Sequence, residues 1–407
     1  MPQPETRTRT EKSPIFRLKG RSDRYYPDDD LSPENTKELE GMNITEIGTV
    51  RRSFGNAKYN ANQITESATA KSVTGLKQQK FASGTTLNFE TAGTKVYSDD
   101  GTTRSDITGT LSLTDSADAR YRFAFIKDQL VATNGVDETW TNTGSGNSTA
   151  LAGVLHTTCE DVVVARNILF ALAPTESGTK YPTRIRWCDI NTATYQLDIT
   201  VWPSDSFYEV YEGGYGILGG VEAFGRLIVI KEDGVYPIRV ELDNGFIEAF
   251  ADEDMKPLRG EFTPVAKSSI IGRPDMVFFV ATDGAYVVRP DLSFELVTEP
   301  IQETWNGLNK SRLKFAQSFV RESDHQIRTL LSSSSNNSGH DKVLVYDYQS
   351  GDVWIEDAPH VAGYMIEWRI LNAPYDMSGS VDGYVRQGNN DASDNYDGSD
   401  ISWKIRG

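Results

Sequence analysis

Two stretches of sequence decide how this chain is read: LIVIKEDGVYPI (Leu227–Ile238) and VFFVATDGAYVV (Val277–Val288). Each gives four apolar residues, two intervening residues, Asp-Gly, a small or β-branched residue and Tyr, and then resumes as strand. Asp233-Gly234 and Asp283-Gly284 are 50 residues apart. A further copy, LVATNGVDETW (Leu130–Trp140), puts Asn134-Gly135 99 residues before Asp233, and Asp382-Gly383-Tyr384 lies 99 residues after Asp283. The phases left open fall near 184 and 333, where PTESGTKYP and SSSSNNSGH supply turn-rich segments. Asn-Gly or Asp-Gly between apolar runs favours a tight hairpin, because both central residues of a type I′ turn need φ > 0. A hairpin recurring about every 50 residues is the pattern of blades in a β-propeller, with a kelch-like period. A body from residue 45 to 407 has room for six or seven such blades. The alternative is a pair of β-sandwiches or jelly rolls, since Asp-Gly hairpins occur in any large β protein.

The rest of the chain agrees with an all-β body. Runs rich in β-branched and aromatic residues recur at Phe123–Ala132, Val162–Ala171, Met276–Ala281 and Val343–Tyr348, bounded by Gly, Asn, Asp and Ser. The best helical stretch, Thr298–Phe319, is short and interrupted by Gly307. Trp140 and Trp354, at the ends of NGVDETW and YDYQSGDVW, are expected to pack between blades rather than to hold a ligand. The last residues, Trp403–Gly407, read as a strand that either closes the ring against an early strand or stops inside the last element. Residues 1–44 read as an extended arm. Its first 24 residues carry Arg7, Arg9, Lys12, Arg17, Lys19, Arg21 and Arg24 against three carboxylates, a net charge of +4, which suits docking on an acidic neighbour.

Composition narrows the function. The 407 residues hold 58 acidic and 41 basic side chains, a net charge of −17, which argues against a broad phosphate-gripping surface. No run approaches the roughly 20 apolar residues of a membrane-spanning helix, and MPQPETRTRTEK lacks the apolar core of a secretory signal. Cys159 and Cys188 are expected to be reduced thiols. His156, His325, His340 and His360 lack partners at metal-ligand spacing, and no nucleophile elbow or phosphate loop occurs. Gly213-Gly214-Tyr215-Gly216 and Gly219-Gly220 read as a tight loop at a blade junction. Carboxylate pairs such as Glu160/Asp161 read as solvated turns, and Asp391, Asp394, Asp397 and Asp400 miss the spacing of a calcium loop. No catalytic residue, metal or cofactor is therefore expected.

One charged segment stands out. ELDNGFIEAFADED carries Glu241, Asp243, Glu248, Asp252, Glu253 and Asp254 with no cation. Most acidic runs are solubility surfaces. The sharper reading is a loop face that lines a path for another polyanion, because like charge lets DNA pass without sticking.

Four stretches then carry a family resemblance: NITEIGTVRRSFGNAKYN (Asn43–Asn60), VTGLKQQKFASGTTLNFETAGTKVYSDDG (Val73–Gly101), RNILFALAPTESGTKYPTRIRWCDI (Arg166–Ile190) and GYGILGGVEAFGRLIVIKEDGVYPI (Gly214–Ile238). Together they resemble the β-propeller tail nozzle, or packaged-DNA stabilisation, proteins of short-tailed (podovirus-type) phages. That resemblance implies a non-enzymatic virion protein, assembled in the host cytoplasm. It would form a homo-hexameric ring under the portal and adaptor, carry fibres or spikes, and surround double-stranded DNA on its way out. The alternatives are a glycan- or receptor-binding tail module using Tyr25, Tyr26, Tyr211 and Tyr215, and a propeller glycoside hydrolase.

Overall fold

The computed structural model describes residues 55–390, apart from 192, 195, 212–213, 244–245, 252–256 and 261, together with short strand segments within 20–52 and 395–406. Strands arrange as seven antiparallel blades of four. Blades 1 to 3 are built, from axis to rim, by Val73–Lys80, Thr86–Ala92, Lys95–Asp99 and Arg104–Asp106; by Arg122–Ile126, Gln129–Thr133, Trp140–Asn142 and Thr149–Ala150; and by Asp161–Ala165, Ile168–Leu172, Arg184–Trp187 and Phe207–Glu209. Blades 4 and 5 follow as Ile217–Ala223, Arg226–Lys231, Gly234–Asp243 and Phe246–Ala251, then Ile271–Gly272, Val277–Val280, Ala285–Val288 and Phe294–Leu296.

Blades 6 and 7 share one long strand, Val353–Ile370. Its first part pairs with His340–Asp347 as the outer strand of blade 6, behind Gln317–Arg321 and Gln326–Leu331. Its second part pairs with Ala373–Ser380 as the inner strand of blade 7, followed by Val385–Asn390. The fourth strand of blade 7 is Gly55–Lys58, from the other end of the chain, with Lys58 opposite Arg386 and Ala57 opposite Gln387, and the short strand Asn395–Tyr396 pairs along its outer side. The inner strands touch in sequence round one axis, and the Tyr121 N–H donates to the Thr74 carbonyl at 3.0 Å to join blades 1 and 2. The chain is a seven-bladed β-propeller.

This arrangement explains why the diagnostic stretches are apolar at every position rather than at alternate ones. A central blade strand has a neighbouring blade on each face, so ILFAL, VFFV and AYVV are buried throughout. The apolar clusters lie between blades. One joins Phe89 and Leu130, another joins Ile228 and Phe279, and a third joins Phe278 and Leu344. Trp140 and Trp354 sit fully buried in these seams, the packing role their positions suggested.

The turn chemistry is a correction. Among the described residues, the two-residue turns with φ > 0 at both positions are Ser67-Ala68, Lys127-Asp128, Arg166-Asn167, Ser177-Gly178, Phe224-Gly225 and Leu371-Asn372, none of them Asn-Gly or Asp-Gly. Four of these join an inner strand to its second strand. The repeated Asp-Gly marks the next turn, between second and third strands, and its logic is different. Tyr236 Oη donates to Asp233 Oδ2 at 2.7 Å, and Tyr286 Oη donates to Asp283 Oδ2 at 2.6 Å. The motif therefore ties the turn to the strand it starts. Gly234 is needed because a Cβ there would lie 2.1 Å from the Leu258 carbonyl oxygen.

The two missing phases are occupied as well: the blade 3 turn is at Ser177-Gly178, earlier than 184, and the blade 6 turn spans 332–339. The tail strand Lys404–Arg406 pairs with Glu38–Glu40, but the ring itself is closed by Gly55–Lys58.

Candidate functional site: the axial cavity

At one end of the axis, the segments leading into the inner strands of blades 2 to 6 meet the second-to-third turns of blades 2, 3 and 4. They enclose a cavity of about 510 Å³. Its walls include Val136, Leu218, Val265 and Phe315, and its charged lining is Asp118, Arg120, Glu160, Lys180, Glu232, Lys267 and Lys314. A concave apolar pocket with a few converging polar groups is the usual form of a binding site.

Most of these charges are spoken for. Lys267 Nζ donates to the carbonyls of Asn134 (2.9 Å) and Glu160 (3.2 Å) and to Glu160 Oε2 (3.0 Å), while Lys180 Nζ reaches Glu160 Oε1 at 2.5 Å. Against the opposing effect of its burial, Lys267 and Lys180 hold the Glu160 carboxyl below the usual range. Arg312 Nη1 donates to Asp118 Oδ2 at 3.3 Å, with Nη2 2.9 Å from the other oxygen. His340 is buried beside this pair, with Nε2 2.9 Å from the Phe315 carbonyl. Burial first, then Arg120 and Arg312, push it well below the ordinary histidine range and keep it neutral.

Below the cavity the axis is filled. Arg122, on the inner strand of blade 2, sends Nε to Asp161 Oδ1 of blade 3 at 3.0 Å. Its two terminal nitrogens lie 3.4 Å from the carbonyls of Ile270 (blade 5) and Gly220 (blade 4). Asp161 is 0% exposed and also accepts the Gly220 N–H at 3.1 Å. A Cβ on Gly219 would come within 2.8 Å of that carboxylate, so the Gly219-Gly220 pair lets blade 4 close on the axis. Asp161 is thus no solvated turn; it is the buried counter-ion of an axial plug.

The acidic segment lies elsewhere. Glu241 and Glu248 face each other across the outer hairpin of blade 4, at the rim, and Glu241 pairs with Arg239 at 2.6 Å. Asp243 belongs to the same strand, and Asp252, Glu253 and Asp254 lie outside the described residues. The segment is therefore a strand pair at the disc edge where a loop face was expected. Of the arm candidates, Arg7, Arg9, Lys12, Arg17, Lys19 and Arg24 lie outside the described residues, and Arg21 falls in the short strand Gly20–Arg21. Asp391, Asp394 and Asp397 also lie outside them, and Asp400 falls in the short strand Ser399–Asp400. Both cysteines are buried free thiols. Among the described residues, no group of three His, Cys, Asp or Glu side chains is placed to hold a metal.

Sequence reasoning passed over Arg120, Arg122 and Lys267. The available signal was ARYRF (Ala119–Phe123), two arginines at strand spacing where a blade begins, Arg122 opening its first strand and Arg120 two residues before it.

No protein-family model and no curated protein matches the chain. Among solved structures it is similar to the WD40 domain of Neurospora crassa Pan2, at 8% identity and a TM-score of 0.45, covering 83% of this chain and 95% of that one. It is likewise similar to BBS1N, crystallised in complex with ARL6DN, at 12% identity and a TM-score of 0.45, covering 84% and 97%. The propeller is read from the strand pairing of this chain itself.

Proposed function

We propose that this propeller is a structural subunit of a short-tailed phage virion, one copy of a hexameric nozzle or hub ring below the portal and adaptor. Six copies would surround passing double-stranded DNA and carry fibres or spikes. The observation that supports this reading best is the closing strand. Gly55–Lys58 is the fourth strand of blade 7, with only the short strands Asn395–Tyr396 and Ser399–Asp400 beyond it among the described residues, so the chain preceding it joins the disc on its outer side. A rim attachment suits an arm that crosses to the next copy, because a cyclic ring requires a head-to-tail interface between unlike surfaces. The filled axis fits as well: with Arg122 spanning blades 2 to 5, DNA would run between copies and not through one. The acidic hairpin of blade 4, also at the rim, would then face that path. No catalysis belongs to this reading.

Negative-stain imaging and mass photometry of the purified chain test it. Hexameric rings of the 45.2 kDa subunit are expected, reduced to single discs when residues 1–24 are deleted. A full-length chain that stays monomeric with portal and adaptor present refutes the reading. A second reading, a receptor- or glycan-binding tail module, is favoured by Tyr211 and Tyr215, which are 73% and 52% exposed in the segment that precedes the cavity-lining Gly216. Glycan-array binding lost on mutating both tyrosines would select it.

A further inference from the structure

The outer edge of blade 4 differs from that of its neighbours. In blades 1, 2, 3 and 5 the fourth strand is two or three residues long: Arg104–Asp106, Thr149–Ala150, Phe207–Glu209 and Phe294–Leu296. In blade 4 it is Phe246–Ala251, six residues with the single charge of Glu248. It pairs with Gly234–Asp243 on one side and with no strand among the described residues on the other. An open edge of unpaired N–H and C=O groups accepts another strand, and proteins keep such edges short for that reason. The two faces of this strand also differ. Ile247 and Ala249 are buried in the apolar cluster shared with blade 3. Glu248 is exposed on the other face, opposite Glu241, and half-buried Phe250 follows it two residues on. Glu241 has Arg239 at 2.6 Å, whereas Glu248 has no ionic or hydrogen-bond partner among the described residues. Like charges opposite each other across a strand pair are destabilising, and an added cation relieves them.

We infer that this edge takes residues Thr6–Thr10 of a second copy of the chain as an added strand. ETRTRTEK (Glu5–Lys12) alternates Thr and Arg, so an extended chain there carries Thr6, Thr8 and Thr10 on one side and Arg7 and Arg9 on the other. The two arginines match the spacing of Glu248 and Phe250, which gives one guanidinium a carboxylate and the other the face of a ring. The β-branched threonines suit the side that looks towards blade 3. Charge agrees, since the first 24 residues carry +4 in a chain of −17. Gly20, ten residues past Thr10, lies beside Val353 of blade 6. Ten extended residues span at most about 35 Å. The copy's own blade 4 lies beyond the whole of blade 5, and a neighbouring disc brought rim to rim offers the same edge without that detour. The inference rests on the ring reading and supplies its joint, while Asp252, Glu253 and Asp254, which follow the strand in sequence, stay available to the DNA path.

The test is charge reversal in the full chain, with assembly followed by mass photometry and folding by circular dichroism. Arg7→Glu/Arg9→Glu and Glu241→Arg/Glu248→Arg should each keep the wild-type strand signal and raise the concentration for half-assembly at least tenfold. Mixing the two variants should restore assembly, because each arm then meets an edge of opposite charge on the other chain. Combining all four changes in one chain should restore it as well. If the reversed edge fails to fold, Glu241→Gln/Glu248→Gln replaces it and should weaken assembly several-fold; unchanged assembly then counts against the inference. Rings that persist in both reversed variants overturn the inference and leave the ring reading standing. Rescue by the fourfold variant without rescue in the mixture shows an arm folded onto its own blade 4, and overturns it too. So does a loss of assembly that neither combination restores. A wild type that stays monomeric with portal and adaptor present removes the ring reading, and the joint with it.

Discussion

Replacing Arg122 by Met puts the axial plug to a quantitative test. The wild-type contact sets Arg122 Nε 3.0 Å from Asp161 Oδ1, and the carboxylate is fully buried. At that distance and an effective dielectric of about 20, the attraction is roughly 5 kcal/mol before desolvation is subtracted. Met keeps the aliphatic stem but leaves Asp161 as an unpaired buried charge, supported only by the Gly220 N–H at 3.1 Å. Removing one partner of a buried pair destabilises by about 3–5 kcal/mol. Arg122→Met should therefore lose that much in urea unfolding followed by tryptophan fluorescence, at unchanged m-value. In Arg122→Met/Asp161→Asn, the amide oxygen still accepts the Gly220 N–H and the buried charge is gone, so the double variant should be more stable than Arg122→Met alone. Because four blades meet at this guanidinium, the loss should fall on the whole cooperative transition. A single-variant loss below about 1 kcal/mol, or a double variant whose loss is the simple sum of the two singles, would falsify the reasoning.

Further outcomes follow from other sites. Arg104 alone faces two buried carboxylates, 2.7 Å from Glu90 and 2.9 Å from Asp99, and burial, against Arg104 and with Asp99, raises Glu90 to about 8 from 4.5. The native state thus holds a proton the unfolded chain releases, and this stabilisation is complete below about 4.5 and lost as pH rises towards 8. Wild type should lose urea resistance between pH 6 and 9 more steeply than Glu90→Gln, and parallel profiles would contradict the assignment. Gly234→Ala, at φ 155° and against the Leu258 carbonyl, should destabilise by about 1–3 kcal/mol from backbone strain, with clash in addition, whereas Gly225→Ala, with open space around it, should cost less. Deleting residues 1–59 should bare the edge of blade 7 and cause concentration-dependent association by light scattering, while deleting 1–24 should leave the melting temperature unchanged. If the proposed nozzle reading holds, converting Glu248, Asp252, Glu253 and Asp254 to Lys should leave folding intact and slow DNA ejection from the virion; normal ejection would count against a channel role for this acidic segment.

The blade repeat was readable because its cause is local. Asp233 and Tyr236, or Asp283 and Tyr286, are three residues apart and bond to each other, so the turn writes its own signature. The inner blade turns carry only half of the usual signature: Asp128, Asn167, Gly225 and Asn372 hold the second position, whereas Lys127, Arg166, Phe224 and Leu371 take positive φ at the first under the demand of two paired strands. The axial site was invisible for a different reason. Asp161 looks like half of a solvated acidic pair until Arg122, 39 residues earlier, is brought against it.

The sequence by itself determined that this chain is an acidic all-β protein of hairpin units at near-regular spacing, because strand propensity, turn chemistry and uninterrupted apolar runs act within a few residues. Tertiary structure alone decided that there are seven blades and that Gly55–Lys58 completes the last one. It also decided that Arg122 fills the axis and that Arg120 is left without an acceptor. Each of those facts depends on groups from distant blades meeting at one line, and only closure of the ring brings them there.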